Sequence, residues 1–205
     1  MNKNTVALIT IIVVTISLTS NAATHKPTQT RCALTEATAP SVRGLRLGMT
    51  TDELLALFPG IAKKKELKSV IEQAKSTNAV EAAYLGFDPA TDGDAQRFAG
   101  VDSVSAGVYR GRVIDFSVQY GGATWTDVDQ WIARLSETFP ALSAKSWIAG
   151  PNEAPTKVLN CDGIVIEASI LGGGSSVRMR SSAYIQGIEE RAKAAEEKKR
   201  QATKP

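Results

Sequence analysis

Apolar and polar positions change their period several times along this chain, and each change marks an element. In residues 112–120 the two kinds alternate, with Ile114, Phe116, Val118 and Tyr120 on one side and Asp115, Ser117 and Gln119 on the other. Period two belongs to a strand with one face on a core and one in water. Residues 101–109 also read as a strand, so a hairpin is predicted around Arg110, Gly111 and Arg112. A three-residue loop there sets Ile114 opposite Val108, Phe116 opposite Ala106 and Val118 opposite Val104, because a slip of one residue would invert a strand. Residues 164–171 and 176–183 repeat the pattern around Gly172–Ser175. That register pairs Ile170 with Val177 and Ala168 with Met179 inward, and Ser169 with Arg178 and Glu167 with Arg180 outward. Asp162-Gly163 just before is a strong two-residue turn signal. Residues 42–47 and 79–87 read as further strands, and residues 88–94 as a polar surface loop.

Helical spacing appears between these runs. Thr50 is placed to cap a helix carrying Leu54, Leu55 and Leu57, with Glu53 completing a capping box, and Phe58-Pro59-Gly60 stops it. Residues 61–75 form a second amphipathic stretch, with Leu67, Val70, Ile71 and Ala74 on one face and the Lys63–Lys65 run as a solvated start. Residues 126–139 place Val128, Trp131, Ile132, Leu135 and Phe139 on a core stripe, and Pro140 ends it. From residue 185 the chain is rich in Glu, Lys, Arg and Ala and poor in large apolar residues, which predicts a charged tail helix projecting into solvent. The pattern gives an α+β domain in which an antiparallel sheet packs one face against helices.

The first residues change the compartment. Lys3, an apolar run over residues 6–18 and the small residues Ser20 and Ala22 have the layout of an export signal, too short to span a bilayer. The expected organisation is a signal peptide over residues 1–22, a polar leader over 23–40, one domain over 41–184 and the tail over 185–205. Localisation is then periplasmic or extracellular, with no stable transmembrane anchor. In an oxidising compartment the two cysteines, Cys32 and Cys161, are expected to form a disulfide.

Composition and motif content exclude several chemistries. Lys and Arg number 24 against 21 Asp and Glu, so no concentrated basic surface for nucleic acid is expected. His25, the single histidine, falls in the leader, which leaves the domain without the base of a Ser-His-Asp or Cys-His site. There is no phosphate-binding glycine loop, and Asp88, Asp92 and Asp94 lack the order of a calcium loop. No catalytic residue, metal site or cofactor is expected. The candidate binding residues are Trp125 and Trp147, at or beyond the rim of the third helix, and Arg178 and Arg180 on the polar sheet face.

Residues 44–58, Gly-Leu-Arg-Leu-Gly-Met-Thr-Thr-Asp-Glu-Leu-Leu-Ala-Leu-Phe, resemble a signature of two related exported groups. These are the small lipoprotein of the outer-membrane barrel-assembly machinery (SmpA/OmlA type) and the β-lactamase inhibitor protein. In both, a strand ending in Gly-Met-Thr leads into a short helix followed by antiparallel strands. Thr126-Asp127 with Phe139-Pro140 echoes Thr51-Asp52 with Phe58-Pro59, as two tandem helix-then-sheet units would. No cysteine directly follows the apolar leader run, so the lipid attachment of the lipoproteins is not expected here. The resemblance implies a non-catalytic module of the bacterial envelope or periplasm that binds another envelope or secreted protein. The alternative is a small-ligand protein or enzyme with a carboxylate or arginine site that no motif marks.

Overall fold

The computed structural model describes residues 32–79, 81–122, 125–142, 146–150, 155–171 and 174–202. The predicted signal, the first half of the leader and the Gly172-Gly173 hairpin tip lie outside them. One antiparallel sheet of seven strands runs in the order β1-β2-β3-β7-β6-β5-β4. Its strands are β1 (Ala83–Phe87), β2 (Val101–Tyr109), β3 (Arg112–Tyr120), β4 (Ile148–Ala149), β5 (Thr156–Asn160), β6 (Ile164–Leu171) and β7 (Gly174–Ser181). Each half of the sheet is made of chain neighbours, and the halves meet where β3 pairs with β7. The architecture is the α+β arrangement of two successive helix-then-sheet units.

The inner face carries Leu85, Ala106, Phe116, Met179, Ile166 and Leu159 in a row across six strands, all buried. Phe116 and Val118 sit opposite Ala106 and Val104, as the alternation required, but the turn before them differs from the expected one. Arg110 and Gly111 both have positive φ, 51° and 76°, and close a two-residue turn that pairs Tyr109 with Arg112. Such mirror-type turns match the twist of a hairpin. Val113, not Ile114, therefore faces Val108, and a register shift beside Ile114 restores the inward set farther along β3. The second hairpin is also tighter than expected. Leu171 pairs with Gly174, which moves the register by two residues, keeps every side chain on its face, and sets Glu167 opposite Arg178 and Ser169 opposite Ser176.

Four helices accompany the body: α1 (Thr51–Leu57), α2 (Lys68–Lys75), α3 (Pro89–Asp92) and α4 (Val128–Thr138). Thr50 caps α1 with the full reciprocal box, its hydroxyl accepting from the Glu53 amide at 3.1 Å and its own amide donating to Glu53 at 2.7 Å. Replacing Thr50 with alanine is expected to cost about 1 kcal/mol in urea denaturation; an unchanged midpoint would show that the box adds nothing. The two units stop their helices alike. Phe58 and Phe139 end α1 and α4 at φ −129° and −128°. Each carbonyl then accepts from a fully buried aliphatic residue three positions on, Ile61 or Leu142.

Residues 61–75 are not the continuous helix their periodicity suggests. Two 3₁₀ turns, Pro59–Lys63 and Lys65–Leu67, precede α2, and Lys64 between them is extended at ψ 96°. The break lets the Lys64 ammonium reach the Asp92 carboxylate at 2.7 Å. Asp92 is buried at the end of α3 and also accepts from the Asp88 amide, so residues 88–94 are not a purely polar surface loop. Residues 42–47 are likewise no strand. Val42 and Leu45 exchange two backbone hydrogen bonds around Arg43 and Gly44, whose φ values are 56° and 91°. A non-glycine residue in that left-handed region costs roughly 1 kcal/mol.

Cys32 and Cys161 form the expected disulfide. The folded body reaches back to Cys32 and does not start at residue 41, since the Asp162 and Gly163 amides donate to the Cys32 and Leu34 carbonyls. At the other end α5 (Ser182–Ala202) follows β7 directly, and its far half is exposed where described. Among the described residues no helix is long and apolar enough to cross a membrane.

Candidate functional site

Alternation places a second set of side chains on the outer face of the sheet, opposite the core. Tyr84 and Gly86 of β1 lie beside Gly107 and Ser105 of β2, and these beside Asp115 and Ser117 of β3. Ser103, Gln119, Ser176 and Ser169 continue the face toward its other half. Tyr84 is 57% exposed, and its ring lies over Gly107, where an added Cβ would meet it at 2.9 Å. A ring laid over a strand glycine shields backbone that lacks its own side chain.

Arg178 and Arg180 fall on this face, as the sequence placed them, and both are engaged. Arg178 grips the buried Asp115 carboxylate with two donors, Nε at 2.9 Å and Nη2. Donating to the Asp115 carboxylate raises the Arg178 guanidinium above its ordinary value. Arg180 reaches Glu167 at 3.3 Å. Both contacts run diagonally across neighbouring strands, so the four charges form one compensated patch and not an open anion site.

The first turns of α5 touch one edge of the same face. Tyr184 packs on Tyr109 with ring centres 5.8 Å apart. Burial, with a hydrogen bond to Tyr84, pushes the Tyr184 hydroxyl up to about 12. It is therefore a neutral group throughout the physiological range, as a structural contact requires.

On the inner side, the seam between the two units leaves a cleft of about 520 Å³. The 42–45 turn and the end of β3 form one wall, and α4 forms the other. Val42, Tyr120, Trp125, Trp131 and Leu135 supply its apolar lining, and Arg43 and Arg134 its cations. Trp131 donates its indole N–H to the Ser176 carbonyl at 2.9 Å, which fixes the ring. Tyr120 and Trp125 stand 5.1 Å and 5.8 Å from it, centre to centre. Arg43 donates to the Ala99 carbonyl at 3.0 Å. Burial raises the Tyr120 hydroxyl above the usual phenol range, although Arg43, hydrogen-bonded to it, pulls the other way.

The four candidates from the sequence thus do not form one site. Arg178 and Arg180 share the outer face, Trp125 lines the inner cleft, and Trp147 is buried in the core. The expectation of a surface role for Trp147 is corrected by its packing beside β4. Arg43, Arg134 and Tyr84 were not singled out. The alternation of residues 79–87 was the available signal for Tyr84, whereas nothing in the chain links Arg43 to Arg134 across some ninety residues. No protein family, curated protein or solved structure matches this chain.

Proposed function

We propose that the protein is a non-catalytic module of the bacterial envelope or periplasm that binds another exported protein through the outer face of its sheet. One observation carries this reading: the face presents an exposed tyrosine among Ser103, Ser105, Ser117, Gln119, Ser176 and two glycines. Tyrosine supplies rigid amphipathic area with little rotamer entropy to lose, and serine and glycine supply adaptable hydrogen bonding and close approach. Its charges are already paired, so a partner meets few uncompensated ions to desolvate. The disulfide is compatible with an oxidising compartment. The resemblance of residues 44–58 to exported protein-binding groups, kept in the capped helix though not in the strand before it, points the same way.

Ser105, exposed in the middle of the face, gives the test. Crosslinking and pull-down from an envelope extract are expected to return a defined partner with the wild-type protein. The same partner should be lost with Ser105→Arg and weakened about tenfold with Tyr84→Ala. Recovery of nothing above control, or equal recovery with Ser105→Arg, would end this reading.

A further inference from the structure

The seam cleft lies on the opposite side of the sheet from the face just described, and its lining has a different character. Aromatic rings from three places in the chain, Tyr120, Trp125 and Trp131, stand around one space, with Val42 beside them. Among the described residues no Asp or Glu lines it, while guanidinium groups enter from both walls. Those two cations are not equivalent. Arg134 is paired with Glu137 at 2.6 Å on the exposed side of α4, so its charge is largely compensated. Arg43 donates to neutral groups, the Ala99 carbonyl and the Tyr120 hydroxyl. Among the described lining residues Arg43 is thus the cation with no carboxylate partner, set over an aromatic floor, while the Asp102 carboxylate lies behind the lining Gly121.

Volume narrows the choice further. About 520 Å³ falls within the range of pockets that enclose a small molecule. Pre-set rings favour a flat apolar body, which they contact by face or edge. A guanidinium is a planar fork of five donors; Arg43 gives donors to two neutral oxygens and Arg134 one to Glu137, which leaves others on each for a carboxylate. A single compensating charge fits a monoanion better than a phosphate dianion.

We propose that the seam cleft is a binding site for an aromatic carboxylate, whose ring packs among Trp125, Trp131 and Tyr120 and whose carboxylate is held between Arg43 and Arg134. A free small molecule and the C-terminal aromatic residue of a polypeptide both present this chemistry. Neither depends on the sheet-face reading, so loss of a protein partner leaves this site standing, and the reverse.

Calorimetry and indole ¹⁵N–¹H spectra of the oxidised protein test it, with N-acetylphenylalanine, its neutral amide, and a tetrapeptide ending in phenylalanine as probes. The acid is expected to bind and to move the Trp125 and Trp131 signals while leaving that of Trp147, which does not line the cleft. The amide should bind about tenfold more weakly, the factor expected for one charge-assisted contact. Arg134→Gln, on an exposed helix surface, should weaken the acid about fivefold at unchanged melting temperature and leave the amide unaffected; Arg134→Lys should recover part of the loss. Arg43→Gln should act in the same direction. A tetrapeptide that binds tighter than the acid identifies a polypeptide terminus as the source, and equal binding identifies a free molecule. Equal affinity for acid and amide, no binding at millimolar concentration, or an Arg134→Gln variant that binds like wild type would overturn the proposal.

Discussion

Replacing Cys32 and Cys161 together with alanine lowers the unfolding free energy by about 4–5 kcal/mol in the chain-entropy account of a crosslink. The two residues are 129 positions apart, so the bridge closes a loop covering most of the folded body and removes much freedom from the unfolded chain. It also anchors the segment whose carbonyls receive the Asp162 and Gly163 amides. Domains of this size are stable by only about 5–15 kcal/mol, so the loss is a large share of the total. Urea denaturation of the oxidised, reduced and double-alanine forms measures it. The reduced and double-alanine proteins should agree with each other and fall well below the oxidised one; a gap under about 1 kcal/mol would show that the crosslink constrains little.

The second large effect is expected at Asp92. Its side chain is 1% exposed and holds the Lys64 ammonium and the Asp88 amide together. Replacing it with alanine leaves that amide without its acceptor and Lys64 without its counter-charge, a loss of about 3 kcal/mol. The pH dependence follows from the same contacts. Burial alone would raise the Asp92 carboxyl, but the hydrogen bonds from Lys64 and Asp88 outweigh it and lower the folded-state value. A lowered folded value means stabilisation that is fully present above the unfolded pKa, about 3.9, and lost as pH falls through the folded one. Acid denaturation of Asp92→Asn should therefore lose part of the wild-type slope below about pH 4. Parallel acid profiles for the two proteins would show that the carboxylate contributes nothing through its charge.

What could be read from the chain follows how far each determinant reaches. The Thr50–Glu53 box, the stripe of α4, the inward faces of both hairpins and the pairing of the two cysteines are set by residues close together or by simple counting. Turns exposed the first limit. Arg110 in the left-handed region is an unusual occupant, so a three-residue loop was the ordinary expectation, and the shift beside Ile114 that compensates for the shorter turn leaves no mark in the alternation. The second limit was long-range chemistry. Lys64 leaves the helical pattern because a carboxylate 28 residues later is buried within reach, and helical periodicity carries no trace of that. The candidate sites divide in the same way: the outer-face arginines were legible from strand parity, while the cleft exists only once the 42–45 turn is folded against α4.

The joining of the halves at β3 and β7 also bears on the order of folding. Within each half, successive strands are chain neighbours, joined by at most the thirteen residues between β1 and β2, so their pairs close with less loss of loop entropy than the central one. The central ladder brings together residues some sixty positions apart, from Asp115 against Arg180 to Tyr120 against Ser175. Such remote contacts are the slow ones in a folding reaction. Each meander is then expected to collapse on its own, with the zipping of the middle strands, and the burial of Asp115 beneath Arg178, as the late kinetic event.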